Sequence, residues 1–418
     1  MKTTTFSEQQ FFVLWLINPF ISALMLLKNM KGVSSMGPYL LISFFFGFSF
    51  VMAPNSGADS TRYAQELKQL YDSKVSFDAY FSHTYSEESS KLDIYQPLLT
   101  WLVSQFTGNY QWLFGIYAMV FGFFWFKAIR MARSLLPDRL SLFFVLLILL
   151  FAFINPIWSI NGVRMWTAVG IFFYGLLLLH FMNNKNGYVF VVLPIFVHFS
   201  LVLPLALYLV YRLLPTKNLL LLYGIYVLTF FIGEMDLGVI RTYFELLPGF
   251  VQSRQSYLGD EYAEKVKLAS EQYAGHIIMY NNLFKYVIIS MVSWIYFSMF
   301  FKKAKSILKF NQFFAMALIF SAFSNLASQI PSGGRFAVLS NLLVVFSFIW
   351  YLSREVNGYF PKRFQSMAQL ILLFIVVVQI RIGADYFGAF LFIGNPVVIL
   401  FIQDNTPFIY YIKSMFDV

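Results

Sequence analysis

The sequence predicts an all-α protein, a polytopic transmembrane helix bundle with about 11 full spans, one broken hairpin and two long outer loops. Three observations predict it. Of the 418 residues, 59% are apolar and only 12% are charged, against roughly 25% charged in a soluble domain. The mean hydropathy is +0.66. Apolar runs recur along the chain, many close to the ~20 residues that cross ~30 Å of hydrocarbon.

Taken in order, the expected spans are 10–27, 38–54, 110–126, 140–155, 165–182, 218–234, 277–301, 310–330, 335–352, 366–381 and 389–403. The opening MKTTTFSEQQ has no basic n-region and no small-residue cleavage site, so the first run reads as a retained helix. The stretch 188–213 is interrupted by Pro194, His198 and Pro204 and flanked by Lys185, Arg212 and Lys217. It reads as a broken hairpin whose ends share one face, because irregular backbone at membrane depth survives only inside protein. No repeat, Gly/Ser linker or low-complexity segment divides the chain, which reads as one integral-membrane domain over 1–418.

Charge sets the expected orientation. Loops 28–31, 127–139, 183–187, 212–217, 302–309 and 354–363 together carry +14. The opposite set, dominated by 53–95 and 234–277, carries −4 when Arg164, Arg335, Arg381 and Asp385 are included. The basic set belongs in the cytoplasm, which puts the two long loops outside. The overall +10 is therefore assigned to cytoplasmic loops and not to nucleic-acid binding. Within the outer loops, Tyr63, Leu67, Leu70 and Tyr71 recur at helical spacing over 59–73, with Asp59 or Ser60 placed to cap the start. Leu237, Ile240, Tyr243, Phe244 and Leu247 make a second stripe over 236–247. Both suit helices flat on the interface or packed as a lid over the bundle.

Several chemistries are excluded. Zero cysteines remove disulfides, Cys-ligated zinc and thiol catalysis. There is no GxxxxGK[ST] loop, HExxH or GxSxG elbow, and His83, His180, His198 and His276 are too scattered to suggest a metal site. No cofactor is expected. What remains is a set of arginines. Arg62 follows Gly57-Ala58-Asp59, Arg164 follows Asn161-Gly162, and Arg335 follows Ser332-Gly333-Gly334, each turn leading into an outward helix start. Guanidinium forks match phosphate oxygens and helix N-termini favour anions, so all three are candidates for binding an anionic substrate. Singly, each could equally snorkel to headgroups or pair with an acid; Arg381 pairing with Asp385 is the expected case of that kind. Asp59, Asp93, Glu88 and His198 are candidate general bases toward a sugar hydroxyl, with N-capping, solvation or burial as the structural alternatives. Tyr63, Tyr95 and Trp158 could stack on sugars.

At these residues the chain resembles the EpsG family of Wzy-type bacterial polysaccharide polymerases. The resemblance is carried by Gly57-Ala58-Asp59-Ser60-Thr61-Arg62-Tyr63, Tyr95-Gln96-Pro97-Leu98-Leu99, Asn161-Gly162-Val163-Arg164 and His198-Phe199-Ser200, in that order over roughly 40–215. The second half is similar in topology, with Gly333-Gly334-Arg335 as a late arginine. Relatives resemble one another in an arginine before Gly-x-Asp and a glutamate before the third span. Here Ala53-Pro54-Asn55-Ser56 and Gln96 stand there, which shifts the arginine role to Arg62 and the acid role to Asp93 or Glu88.

The resemblance implies a metal-independent glycosyltransferase in the bacterial inner membrane. Its substrate would be a polyprenyl-diphosphate-linked oligosaccharide, polymerised at the outer face with Arg62, Arg164 and Arg335 on the diphosphate. Membrane lipids, a flippase and a chain-length regulator would be its partners. A flippase of lipid-linked oligosaccharide and an O-antigen ligase-like transferase remain alternatives. Transporters often carry duplicated halves, and none is visible here.

Overall fold

The computed structural model describes residues 7–30, 33, 35–52, 59–86, 92–214, 218–232, 264, 275–302, 307–330, 332–401 and 406–415. Among these every regular element is helical, with two isolated bridges, Phe50–Phe387 and Gly388–Pro407. In chain order the first half holds α1 (Glu8–Ile17), α2 (Pro19–Lys28), α3 (Gly37–Phe48), α4 (Asp59–Ser73), α5 (Phe77–Thr84), α6 (Tyr95–Ser104), α7 (Tyr110–Ser134), α8 (Leu142–Ile154) and α9 (Val163–Leu176). Then follow α10 (Gly187–Val192), α11 (Pro194–Val197), α12 (Val202–Leu213), α13 (Leu219–Leu228), α14 (Gly275–Lys302), α15 (Leu308–Ala327), α16 (Ala337–Tyr351) and α17 (Lys362–Gly383).

Six described helical stretches are long and apolar enough to cross a membrane: 110–134, 142–181, 275–301, 308–327, 333–351 and 362–383. One of these folds back on itself. Phe151 and Phe173 have ring centroids 5.9 Å apart, whereas a continuous helix would separate them by about 33 Å. The bend is Asn155-Pro156 and the 3₁₀ turn Ile157–Gly162.

The expected spans are corrected at both ends of the chain. The first, 10–27, is two ten-residue helices broken at Asn18, whose backbone is extended and whose side chain caps α2. In the last, 389–403, the described residues to 401 form only the short turns Phe390–Ile393 and Val398–Leu400, separated by Gly394-Asn395-Pro396. At 218–234 the described helix is only the ten residues of α13. The expected outer helix 236–247 lies outside the described residues.

The hairpin at 188–213 forms as expected. Its first arm starts where Gly187 packs on Leu178 and Leu179. Its tip lies at His198, with extended backbone, where the Ser200 hydroxyl is 3.4 Å from the Met165 sulfur. The second arm returns to His180, whose Nε2 is 3.2 Å from the Tyr208 hydroxyl. Each arm is about 17 Å long at 1.5 Å per residue, so the tip reaches the start of α9 and the two ends share the opposite face.

That opposite face gathers the flanks of the basic loops. Lys309 lies over the rings of Phe181 and Trp350, and the Tyr211 hydroxyl donates to the Gln312 carbonyl. Trp294 donates to the Tyr359 carbonyl, and Phe143 stacks on Phe360. α3 packs closely along α7. Small residues let the backbones approach: a Cβ at Gly47 would fall on the Phe114 carbonyl, and one at Gly122 on the Ser43 hydroxyl.

Candidate active site

The residues singled out by sequence meet mostly at the end of the bundle away from the basic loops. α4 is anchored there through its buried Tyr63, Leu67 and Leu70, so one face of this helix packs as a lid; Tyr71 is partly exposed beside Gly108. Asp59 is the first residue of α4. Ser60 does not cap: its hydroxyl is buried and donates to Asn161 Oδ1 at 2.6 Å.

Arg164, the second residue of α9, is the hub. Its Nε–H donates to the Tyr63 hydroxyl at 3.0 Å and Nη1 donates to Asp93 Oδ2 at 3.0 Å. Its Nη2 lies 4.0 Å from Asp59 Oδ2. A guanidinium has five N–H donors, and these two bonds leave three for a ligand while holding the plane rigid. Tyr63 is buried, and that burial pushes its phenol pKa up to about 12. It stays neutral and acts as a positioning residue for Arg164.

The two aspartates have different surroundings. The Asp93 side chain is 5% exposed. One oxygen holds Arg164 and the other accepts the Phe199 N–H at 2.8 Å, which ties the hairpin tip to the α5–α6 connection. The Ile94 N–H donates to the Phe196 carbonyl in the same clasp. With both oxygens engaged, Asp93 orients the arginine. Asp59 is 44% exposed; its Oδ1 accepts from Arg62 Nη2 at 2.8 Å, and among the described residues its Oδ2 faces only the distant Arg164. Arg62 is itself exposed and lies 5.7 Å from the Tyr63 ring centroid.

His198 sits at the tip, where Nδ1 accepts from the Ser200 N–H at 3.2 Å and lies 2.8 Å from its hydroxyl. It caps the short turn Phe199–Leu201. Tyr95 packs on Tyr117. Glu88 lies outside the described residues. Arg335 is exposed in the 3₁₀ turn Gly333–Phe336, three residues before Val338, which lines the cleft described next. In that turn the Ala337 N–H is already bonded to the Gly334 carbonyl, so anion binding here rests on the guanidinium more than on the helix end. Arg381 pairs with Asp385 at 2.8 Å.

Beside Asp59 opens a cleft of about 390 Å³, lined by Asn155, Trp158, Asn161, Trp166, Gln379 and Tyr386 among others. Asn161 Nδ2 donates to the Tyr386 hydroxyl at 3.1 Å, so the 155–162 turn and the segment after α17 share a wall. Sequence reasoning passed over Asn155 and Gln379. Their signal was available as lone amides in apolar runs. Glu66 was missed as well: it accepts from Tyr80 and from Gln96 Nε2, which puts a carboxylate beside the glutamine that precedes Pro97. No group of three or more His, Asp or Glu side chains suited to a metal ion occurs among the described residues.

A model of the EpsG family matches residues 10–401, nearly the whole chain. No curated protein and no solved structure matches.

Proposed function

The chain belongs to the EpsG family, and on that premise we propose that it polymerises polyprenyl-diphosphate-linked oligosaccharide repeat units at the outer face of the bacterial inner membrane. Family membership points to a membrane polysaccharide polymerase-type function; the substrate, the face and the residues are our reading. The observation that carries it is the rigid Arg164, held by Tyr63 and Asp93, beside an exposed Asp59 and an open cleft.

In this reading the anomeric carbon–oxygen bond to the diphosphate breaks and the electron pair leaves with the diphosphate. Arg164, with Arg62 and Arg335 in support, stabilises the charge that develops, and a preorganised guanidinium does so without reorganisation. The acceptor hydroxyl bonds to the anomeric carbon and gives its proton to Asp59. Of the described candidate carboxylates, Asp59 is the exposed one that lines the cleft. The chemistry is metal-independent in this reading. The +14 against −4 loop asymmetry supports an outward-facing site.

The test is elongation in vesicles that carry the purified protein and labelled lipid-linked units. Chain lengthening is expected. Movement of units between leaflets without lengthening would instead make the protein a flippase.

A further inference from the structure

A chain of hydrogen bonds runs from α4 into the wall of the cleft, and its lengths give it a direction. The Ser60 hydroxyl lies 2.6 Å from Asn161 Oδ1, and Asn161 Nδ2 lies 3.1 Å from the Tyr386 hydroxyl. O–H···O bonds measure about 2.5–3.0 Å and N–H···O bonds about 2.7–3.2 Å. The first contact is too short for an amide donor and the second too long for a phenol donor. Turning the Asn161 amide round would require both. Ser60 therefore donates to Asn161, Asn161 donates to Tyr386, and the phenol oxygen is an acceptor. Its own proton points elsewhere, and no group among the described residues accepts it.

Tyr386 is held firmly. Its ring stacks on Phe50 with centroids 5.4 Å apart. Its carbonyl accepts the Val51 N–H at 3.1 Å, and its N–H donates to the Gly383 carbonyl at 2.9 Å. Burial, and after it the neighbouring Asp385 carboxylate, push the phenol pKa above the ordinary value near 10, so the proton stays on at neutral pH. Tyr386 and Asp59 line the same cleft. The cleft thus offers an oriented O–H donor and an exposed carboxylate acceptor at separate points. Every sugar hydroxyl can both donate and accept, so a carboxylate alone would take any of them. A fixed second group of opposite character removes that degeneracy.

We propose that Tyr386 is a specificity-determining residue: its O–H donates to one oxygen of the acceptor unit and so sets which hydroxyl of that unit reaches Asp59. Ser60 and Asn161 are positioning residues that aim the phenol. The proposal deepens the polymerase reading and rests on it for the identity of the acceptor.

The test reads the linkage. Vesicles carrying the full chain and labelled lipid-linked units from the source strain make polymer, and methylation analysis shows which hydroxyl was used. Tyr386→Phe should lengthen chains about tenfold more slowly and add a second linkage, but it also strips Asn161 Nδ2 of its acceptor. Asn161→Asp is the cleaner variant. A carboxylate accepts from both neighbours, so both hydrogen bonds survive while the phenol proton turns into the wall; the same slowing and second linkage are expected. Wild-type linkage in both variants overturns the role, whatever their rates. Tyr386→3-fluorotyrosine in nanodiscs gives a readout independent of lengthening. Its fluorine resonance should shift on adding lipid-linked units and not on adding sugar-free polyprenyl diphosphate. No shift with the units, or an equal shift with the sugar-free lipid, also overturns the role. A glycan-dependent shift without lengthening refutes only the polymerase reading, and lengthening without the shift refutes only the role of Tyr386.

Discussion

Replacing Asp93 by Asn isolates the charge that holds Arg164. Asn keeps an oxygen to accept the Phe199 N–H, so the clasp on the hairpin tip survives and only the ion pair is lost. The side chains are 21% and 5% exposed, which places the pair in the buried regime, where removal of one partner costs about 3–5 kcal/mol. Asp59 remains 4.0 Å from Nη2 and compensates in part, so the low end, about 3 kcal/mol, is expected. A double-mutant cycle with Arg164→Met separates this coupling from the packing change. Fluorescence-monitored unfolding of the wild type, both single variants and the double variant in one detergent measures it. A coupling of about 2 kcal/mol or more supports the pair as the element that fixes the guanidinium. A coupling below about 0.5 kcal/mol, the level at which independent sites add, would refute it.

Four further outcomes follow from the same geometry. Asp59→Asn should fold with near-normal stability, since an exposed pair contributes only about 0–1 kcal/mol, yet lower elongation at least a hundredfold if it is the base; elongation near wild type would reassign it. Arg164→Lys and Arg335→Lys should lose most polymer at near-normal protein levels because lysine lacks the bidentate fork, whereas Arg381→Lys should be mild; full-length polymer from both of the first two would rule out the diphosphate clamp. Tyr63 ionises at about 12 in the fold because of burial, above the ordinary value near 10, so its contribution to stability is complete below pH 10 and is lost as pH rises toward 12; tyrosinate absorption of Tyr63→Phe against wild type should match near pH 10 and differ only as pH approaches 12. Gly47→Val should cost at least about 1–3 kcal/mol through overpacking, read as a lower melting temperature and yield, because its Cβ meets the Phe114 backbone.

The sequence alone determined the properties that are local along the chain. Apolar runs marked the long helices, loop charge sorted the two ends, and the stripe at Tyr63, Leu67 and Leu70 named the buried face of α4. The Asp59–Arg62 pair was legible because three residues on a helix bring side chains together. The breaks were legible too, since Asn-Pro is a turn signal, but a hydropathy window averages over a single dipeptide and read 10–27 and 389–403 as continuous. The site itself was beyond that reach. Arg164 meets Asp93 across 71 positions, Ser60 meets Asn161 across 101, and Asn161 meets Tyr386 across 225. Sequence proposed Arg164 and Asp93 separately and could not pair them, because which acid neutralises a buried guanidinium depends on where the hairpin tip lands. The division between Asp93 as orienter and Asp59 as candidate base was likewise decided only by packing. The residue type is identical, and what separates the two is burial, 5% against 44% exposed.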